Sequence, residues 1–563
     1  MLNTYGLLVP VACYGAVANA FAPALHRDVF RMNELAAQGL NSDGTPMKIS
    51  TTYGLTSDII KSAKVPETPI PEERVSLPLD HFGGDGRTYE NQFWVSDVAY
   101  KEGGPVFIYD GGEGDIAGSV DFRLANETSF FKQLVDEFGG IGIAWQHRYY
   151  GDSSPVNISL DTPTSDFQWL TSEQALADLP AFAANFSRDG IDFDLTPSGT
   201  PWVFVGGSYP GMRAAFSRDQ YPDTFFASFA SSAPVEARND MSIYFDPIPK
   251  GLNKWGWGNC SADITAAVKH IDTLLDDEST AGDLKVQFLG RNADKNTNAA
   301  FADALATIFN SWQSYGVDGG EFGLRYFCDF VETDPKTNKT APAEGWAQSR
   351  GGQYVVDRWA SWPAFVKLVD STYEIDCEGP GKKASAEPEC KLGLPFTDPA
   401  TISWTYQYCT QWGFLQSSNL GDHQLISKHN SLEHQHDICH TQFSDASAAD
   451  HVPDWPADEA TNKVFGGWEL RPSNVYWSGG EFDPWRTLSP LSDQPDAPKP
   501  EMVQVAPKCG EQTAPGQIFG YVMEDACHCF DFRTYFEGGA VSRKYFVDAL
   551  KSWLPCFKGG DKQ

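Results

Sequence analysis

Three side chains far apart in the chain have the types that acyl transfer needs, and they come in an order that suits it. Ser208 stands in "VFVGGSYPGMRAAF", between an apolar strand-like run and a helix-like one, with glycines at 206, 207 and 211. Such a turn has two readings. Either it needs small residues for packing, or it holds the hydroxyl clear of its own backbone as a nucleophile elbow. The usual elbow reads G-x-S-x-G; here Gly206 fits, Pro210 takes the following glycine's place and Gly211 comes one residue later. A serine hydroxyl is a weak nucleophile, so it needs a base, and the base needs an acid to orient it. Asp483 in "NVYWSGGEFDPW" follows another strand-like run, where open α/β sheets place functional side chains. His528 in "EDACHCFDFR" is the only histidine after His451, so the order Ser208, Asp483, His528 leaves little choice. Asp531 is a rival acid, too local to His528 to be the expected partner.

The elements that must position these residues alternate in type. "YENQFWVSDVAY", "GGPVFIYDGGEGD", "GGIGIAWQHRYYG", "PWVFVGG" and "FFASFASSAP" read as strands. "TSEQALADLPAFAANF" opens with a Thr/Ser cap and carries Ala175, Leu176, Leu179 and Phe182 at helical spacing, with Pro180 kinking it or lying near its end. Strands alternating with helices predict an α/β fold with a mostly parallel sheet. After about Val235 the segments become amphipathic helices separated by polar loops, until the strand pattern returns before Asp483 and a helix over "VSRKYFVDALKSWL" closes the chain. The expected division is a signal peptide (1–20), an N-terminal arm or pro-segment (21–70), an α/β body (71–235), a mostly helical cap insertion (236–455) and the rest of the body (456–563).

Composition narrows the setting. A formal charge of -33 in 563 residues argues against nucleic acid or an anionic membrane as partner. A sequence pI near 4.6 suits an acidic medium. Leu7 to Val17 is apolar and leads to Ala18-Asn19-Ala20, a signal-peptidase pattern, and no other apolar run is long enough to span a bilayer, so no membrane anchor is expected. Of 11 cysteines Cys13 lies in that leader, which leaves an even number. Sequons at Asn126, Asn157, Asn185, Asn259 and Asn338 agree with a secreted, disulfide-bonded glycoprotein, with a lysosome- or vacuole-like compartment as the alternative.

The chain resembles the proline-specific serine peptidase family that contains lysosomal Pro-Xaa carboxypeptidase, dipeptidyl-peptidase II and the fungal acid prolyl endopeptidases. The resemblance is carried, in order, by "PLDHF", "GGEGDI", "HRYYGDSSP", "LTSEQALADL", "GGSYPGMRAAF", "SSAPV", "YQYCTQWGF", "EFDPW" and "HCFDFR", between residues 78 and 533. It implies an α/β-hydrolase body with a helical cap inserted between nucleophile and acid, and it puts nucleophile, acid and base on Ser208, Asp483 and His528. It also implies a slot for a prolyl ring near Met212 and Trp485. The sequence departs from the family pattern at Pro210, at Gln146 and Gln411, where glutamate is common, and at Cys529, in place of a second histidine.

Further roles follow from these parts. Tyr209 N–H is expected to be one oxyanion donor, with Gly112 or Glu113 of the glycine-rich loop as the second. Glu113 is a candidate for holding a substrate amine, or else it stabilises its loop. An acidic setting predicts that the site depresses the pKa of His528 below its ordinary value of about 6.5. "HQHDICH", with His434, His436, Cys439 and His440, matches no closed four-ligand pattern, and Cys439 is expected in a disulfide. "CHC" at 527–529 reads as two disulfide cysteines around a base. No metal and no cofactor is expected. The partners expected are proline-containing peptides or proteins, acting on a monomer or homodimer. The competing functions are an exopeptidase of the same family, an esterase or lipase on the same body, and an inactive binding glycoprotein.

Overall fold

A computed structural model describes residues 30–47 and 69–559. The expected signal peptide lies outside the described residues. Eleven strands occur among them: β1 (Glu72–Pro78), β2 (Thr88–Ser96), β3 (Val106–Asp110), β4 (Ile141–Trp145), β5 (Trp202–Gly207), β6 (Phe225–Ser231), β7 (Arg238–Asp240), β8 (Gly413–Leu415), β9 (Val475–Gly480), β10 (Glu501–Val503) and β11 (Gln517–Met523). Nine of them form one sheet in the order β1-β2-β4-β3-β5-β6-β9-β11-β10. β1 and β2 pair antiparallel, as do β2 and β4; the other pairings in that sheet are parallel. β7 and β8 form a separate parallel pair.

Central strands are apolar on both faces because both are covered. Alternate residues sort to opposite sides of the sheet. Phe107 and Tyr109 of β3 and Val203 and Val205 of β5 pack with Phe131 and Leu134 and with Phe546 and Trp553 of the terminal helix Glu537–Trp553. Val106 and Ile108, with Trp202 and Phe204, pack with Phe182 and Ala214 on the other face. The helix Ser172–Ala183 starts where the sequence places it, with the Thr171 side chain accepting from Gln174 N–H; Pro180 lies inside it, close to its end. A long run of helices from Pro247 to Phe465 separates β6 and β9 in sequence. The fold is an α/β-hydrolase body with a helical cap. No described helix is long and apolar enough to cross a membrane.

Four disulfides join Cys260 to Cys328, Cys377 to Cys390, Cys409 to Cys439 and Cys509 to Cys556. Cys527 and Cys529 are free thiols, which corrects the reading of "CHC" as two bridged cysteines. The other eight cysteines among the described residues pair among themselves.

Candidate active site

The Ser208 turn is built by close backbone approach. Ser208 has φ 67° and ψ −134°, a conformation that costs a side-chain-bearing residue energy and recurs at functional turns. Its N–H donates to Ser231 O at the end of β6 (2.9 Å), and the helix Tyr209–Gln220 starts immediately after it. A Cβ on Gly206 would lie 2.1 Å from Pro210 O, and one on Gly211 would lie 2.6 Å from Ser231 O. Pro210 fits because the first turn of a helix needs no N–H at that position.

Asp483 follows β9 and His528 follows β11, so neighbouring parallel strands deliver both to one end of the sheet. His528 Nδ1 lies 2.9 Å from Asp483 Oδ1, and both side chains are fully buried. Asp483 Oδ1 also accepts from Trp485 N–H (2.9 Å). With Nδ1 donating to the carboxylate, Nε2 carries the lone pair; it has no hydrogen-bond partner among the described residues. Ser208 and His528 line one small cavity with Glu113, Pro210 and Cys529. Asp531 accepts from the Ser231 hydroxyl (2.6 Å) and the Ser478 hydroxyl (2.5 Å), so this rival acid ties the ends of β6 and β9 together.

Tyr209 is held on three sides. Gln407 Nε2 donates to its hydroxyl (2.7 Å), and the hydroxyl lies 3.0 Å from His147 Nε2. His147 Nδ1 faces Arg148 O (2.6 Å), so it is the protonated nitrogen and Nε2 accepts from Tyr209. Trp404 meets the ring edge-on. Gln407 and Trp404 belong to the cap helix Pro399–Gln407, which therefore braces the residue after Ser208. The quoted motifs converge nearby: Asp178 receives Arg148 through two bonds (2.8 and 2.7 Å), Tyr89 (2.8 Å) and His81 (2.8 Å).

The remaining expected site residues divide. Glu113 lines the cavity, and burial pushes its carboxyl up to about 7. Gly112 N–H donates to Asp110 Oδ1 (2.8 Å), so it is engaged by its own loop rather than offered to an oxyanion. Met212, one turn past Ser208, is fully buried in the largest apolar cluster and does not line the cavity. Trp485 donates to Gln313 Oε1 (2.9 Å) and packs edge-on to Tyr244 and Phe414, also outside the cavity lining. The expected depression of the His528 pKa is overturned. Burial is the largest single effect and lowers it, but the Asp483 charge and hydrogen bond, together with Cys529, outweigh burial and the value is raised.

Gln146 donates to Gly114 O (2.7 Å) and accepts from Ile116 N–H (3.1 Å), while Gln411 binds Ser172 and Glu173. Both amides use donor and acceptor, which a glutamate does not offer. Asn157, Asn185 and Asn338 are exposed, Asn259 is half-buried on Glu332, and Asn126 is buried, its Oδ1 accepting from Thr128. The histidine group splits: Cys439 is bridged, His434 pairs with Asp303, and only His436 and His440 meet, beside Asp454, within 4.8 Å. None of these lines the Ser208 cavity. Sequence reasoning missed Arg123, Tyr109, Phe30, Asn33, Glu34 and Ala37, which do line it.

A family model described as "Serine carboxypeptidase S28" matches residues 77–536. The chain belongs to this family. It is 29% identical to a probable extracellular serine carboxypeptidase of Arthroderma benhamiae, over 74% of this chain and 59% of that protein. It is 28% identical to the thymus-specific serine protease of Homo sapiens, over 73% and 76% of the two chains. It is 25% identical to the lysosomal Pro-X carboxypeptidase of Mus musculus, over 84% and 87%. This S28 chain is accordingly a serine-type peptidase of α/β-hydrolase fold.

Proposed function

We propose that this chain is a secreted serine peptidase that cleaves on the carboxyl side of proline, with Ser208, His528 and Asp483 as nucleophile, base and acid. The observation that carries the proposal is the buried Asp483–His528 pair opening onto the cavity that Ser208 lines. Ser208 Oγ attacks the prolyl carbonyl while His528 Nε2 takes its proton, then returns it to the leaving amine. Water deacylates the prolyl ester by the same route in reverse. Asp483 holds the imidazole tautomer and stabilises the imidazolium without taking the proton. Tyr209 N–H, held by the bonds to its hydroxyl, faces the developing oxyanion. Trp485, next to Asp483 in the "DPW" motif, is proposed as an aromatic wall for the prolyl ring. Proline specificity is supported by the motif resemblance and by the likeness to the mouse lysosomal Pro-X carboxypeptidase; secretion is supported by the leader pattern, the disulfides and the extracellular Arthroderma relative.

The test is product mapping by mass spectrometry on a mixed peptide library with free and blocked termini, at about pH 5 and pH 7, wild type beside Ser208→Ala. Cuts after proline that vanish in the variant support the reading. Serine-dependent cuts without proline preference would remove the specificity, and none at all would remove the peptidase assignment of this site.

A further inference from the structure

Arg123 is a guanidinium almost fully buried in the wall of the catalytic cavity, and its anionic partner Glu34 is not part of the hydrolase body. Glu34, on a helical segment over residues 30–37, receives Arg123 Nη2 (2.5 Å) and Nε (3.1 Å). The Tyr109 hydroxyl donates to the same carboxylate (3.0 Å). Around Arg123 stand Tyr109, Phe122 and Phe532, their ring centres 4.5, 5.4 and 5.6 Å from its central carbon. Arg123 Nη1 is buried with no hydrogen-bond partner among the described residues. A guanidinium in such a box is costly without an anion, and a planar carboxylate is the anion it fits two-pronged.

The segment that brings Glu34 also closes the cavity. Phe30, Asn33, Glu34 and Ala37 line it opposite Ser208 and His528, and a volume of about 50 Å³ remains. Binding pockets for small molecules start at roughly 300 Å³, so no dipeptide enters beside this segment. Asn33 accepts from the Ser314 hydroxyl (2.6 Å), and Tyr535 and Tyr315 donate to the carbonyls of Ala36 and Leu40. These contacts bond the segment to Ser314 and Tyr315 of the helical cap and to Tyr535 of the body, and the segment puts a single carboxylate on Arg123.

We infer that Arg123 and Tyr109 form a carboxylate subsite of the catalytic cleft, held in this structure by Glu34 as an internal ligand and occupied during turnover by a carboxylate of the substrate. The inference rests on the peptidase reading above and deepens it. Displacing residues 30–37 opens the cleft and leaves Arg123 needing an anion, which a peptide supplies as its free C-terminal carboxylate or as an acidic side chain after the scissile bond. A C-terminal carboxylate there makes the enzyme a carboxypeptidase.

Two experiments on the full chain test this. The first times labelling of Ser208 by a fluorophosphonate probe and needs no substrate. Glu34→Gln weakens the internal ligand and is expected to label at least about 10-fold faster than wild type. N-acetylphenylalanine is expected to slow labelling of Glu34→Gln while its amide does not, and Glu34→Gln/Arg123→Gln is expected to lose that protection. Equal labelling of wild type and Glu34→Gln, with acid and amide protecting alike, overturns the inference.

The second compares kcat/KM for N-blocked peptides ending Pro-Phe as free acid, Pro-Phe as amide and Pro-Glu as amide. The expected preference of acid over amide is roughly 30-fold, falling to within about 3-fold in Arg123→Gln and partly restored in Arg123→Lys. Fast cleavage of Pro-Glu amide assigns the subsite to acidic side chains instead of the C-terminus; equal rates on all three overturn it. Should Arg123 variants fail to fold, the Glu34→Gln arms still decide. Acid-specific protection without any cleavage after proline would keep the subsite and remove the proline reading.

Discussion

Asp483 Oδ1 sits 2.9 Å from His528 Nδ1, with both side chains sealed from solvent. The pair can therefore hold one tautomer and one ring orientation before any substrate arrives. Asp483→Asn keeps the shape and loses the charge, and the ring is then free to take the wrong tautomer. The expected outcome is a fall in kcat of about 10⁴ with KM nearly unchanged. Steady-state kinetics on a post-proline peptide checks it; a loss under tenfold would remove Asp483 from its role.

In the proposed mechanism His528 must be neutral to act as base, so the acid limb of the pH–rate profile is expected to belong to it. Its pKa is raised by Asp483 against the opposing effect of burial, so kcat/KM is expected to fall as pH drops through that raised value. Glu113 and His528 line the same cavity, and the Glu113 carboxyl titrates at about 7. Glu113→Gln removes an anion that favours the imidazolium, so the limb is expected to move to lower pH by roughly half a unit to one unit. An unmoved limb, or one displaced upward, contradicts this coupling.

Folding stability is expected to fall from acid toward alkaline pH. Glu113 is raised to about 7 by burial, Glu332 is raised by burial and the Asp263 charge, and Asp531 by burial. Above the ordinary carboxyl value the unfolded chain has released protons that the folded chain still holds, so each contribution is lost as pH rises toward the folded value. His528, also raised, acts in the same sense. The Glu113 contribution is roughly 3 kcal/mol between about pH 4.5 and 7. Thermal unfolding is expected to give a higher Tm at about pH 5 than at about pH 8, with the difference reduced in Glu113→Gln. A Tm that rises toward pH 8 would refute the assignment.

Cys529 is a free, partly accessible thiol in the cavity lining, and a Cβ on Gly207 would stand 2.8 Å from its sulfur. Alkylation with a small reagent such as iodoacetamide is expected to fill the cavity and abolish labelling of Ser208, while Cys529→Ala resists the reagent. Cys527 is buried, so inactivation that persists in Cys529→Ala would locate the sensitive thiol elsewhere.

The strand–turn–helix at Ser208 and the strand end before Asp483 were legible because their signals are local, whereas β11 before His528 was not read as a strand. β5 is an unbroken apolar run closed by glycines, and a buried parallel strand entering a helix through a tight turn needs that pattern. The order Ser208, Asp483, His528 and the single late histidine then selected the site residues before any distance was known. Tertiary structure decided what one-dimensional spacing does not encode. Glu34 and Arg123 are 89 residues apart and belong to no common period, yet they meet through two bonds. The Gly112 N–H looked available until Asp110 at the end of its own strand took it. Met212 matched a motif, but helix rotation one turn beyond Ser208 carries it into the core. Whether His528 is shifted up or down depends on the balance between burial and the groups folded against it, the Asp483 carboxylate at 2.9 Å and Cys529, and that balance exists only when the chain is folded.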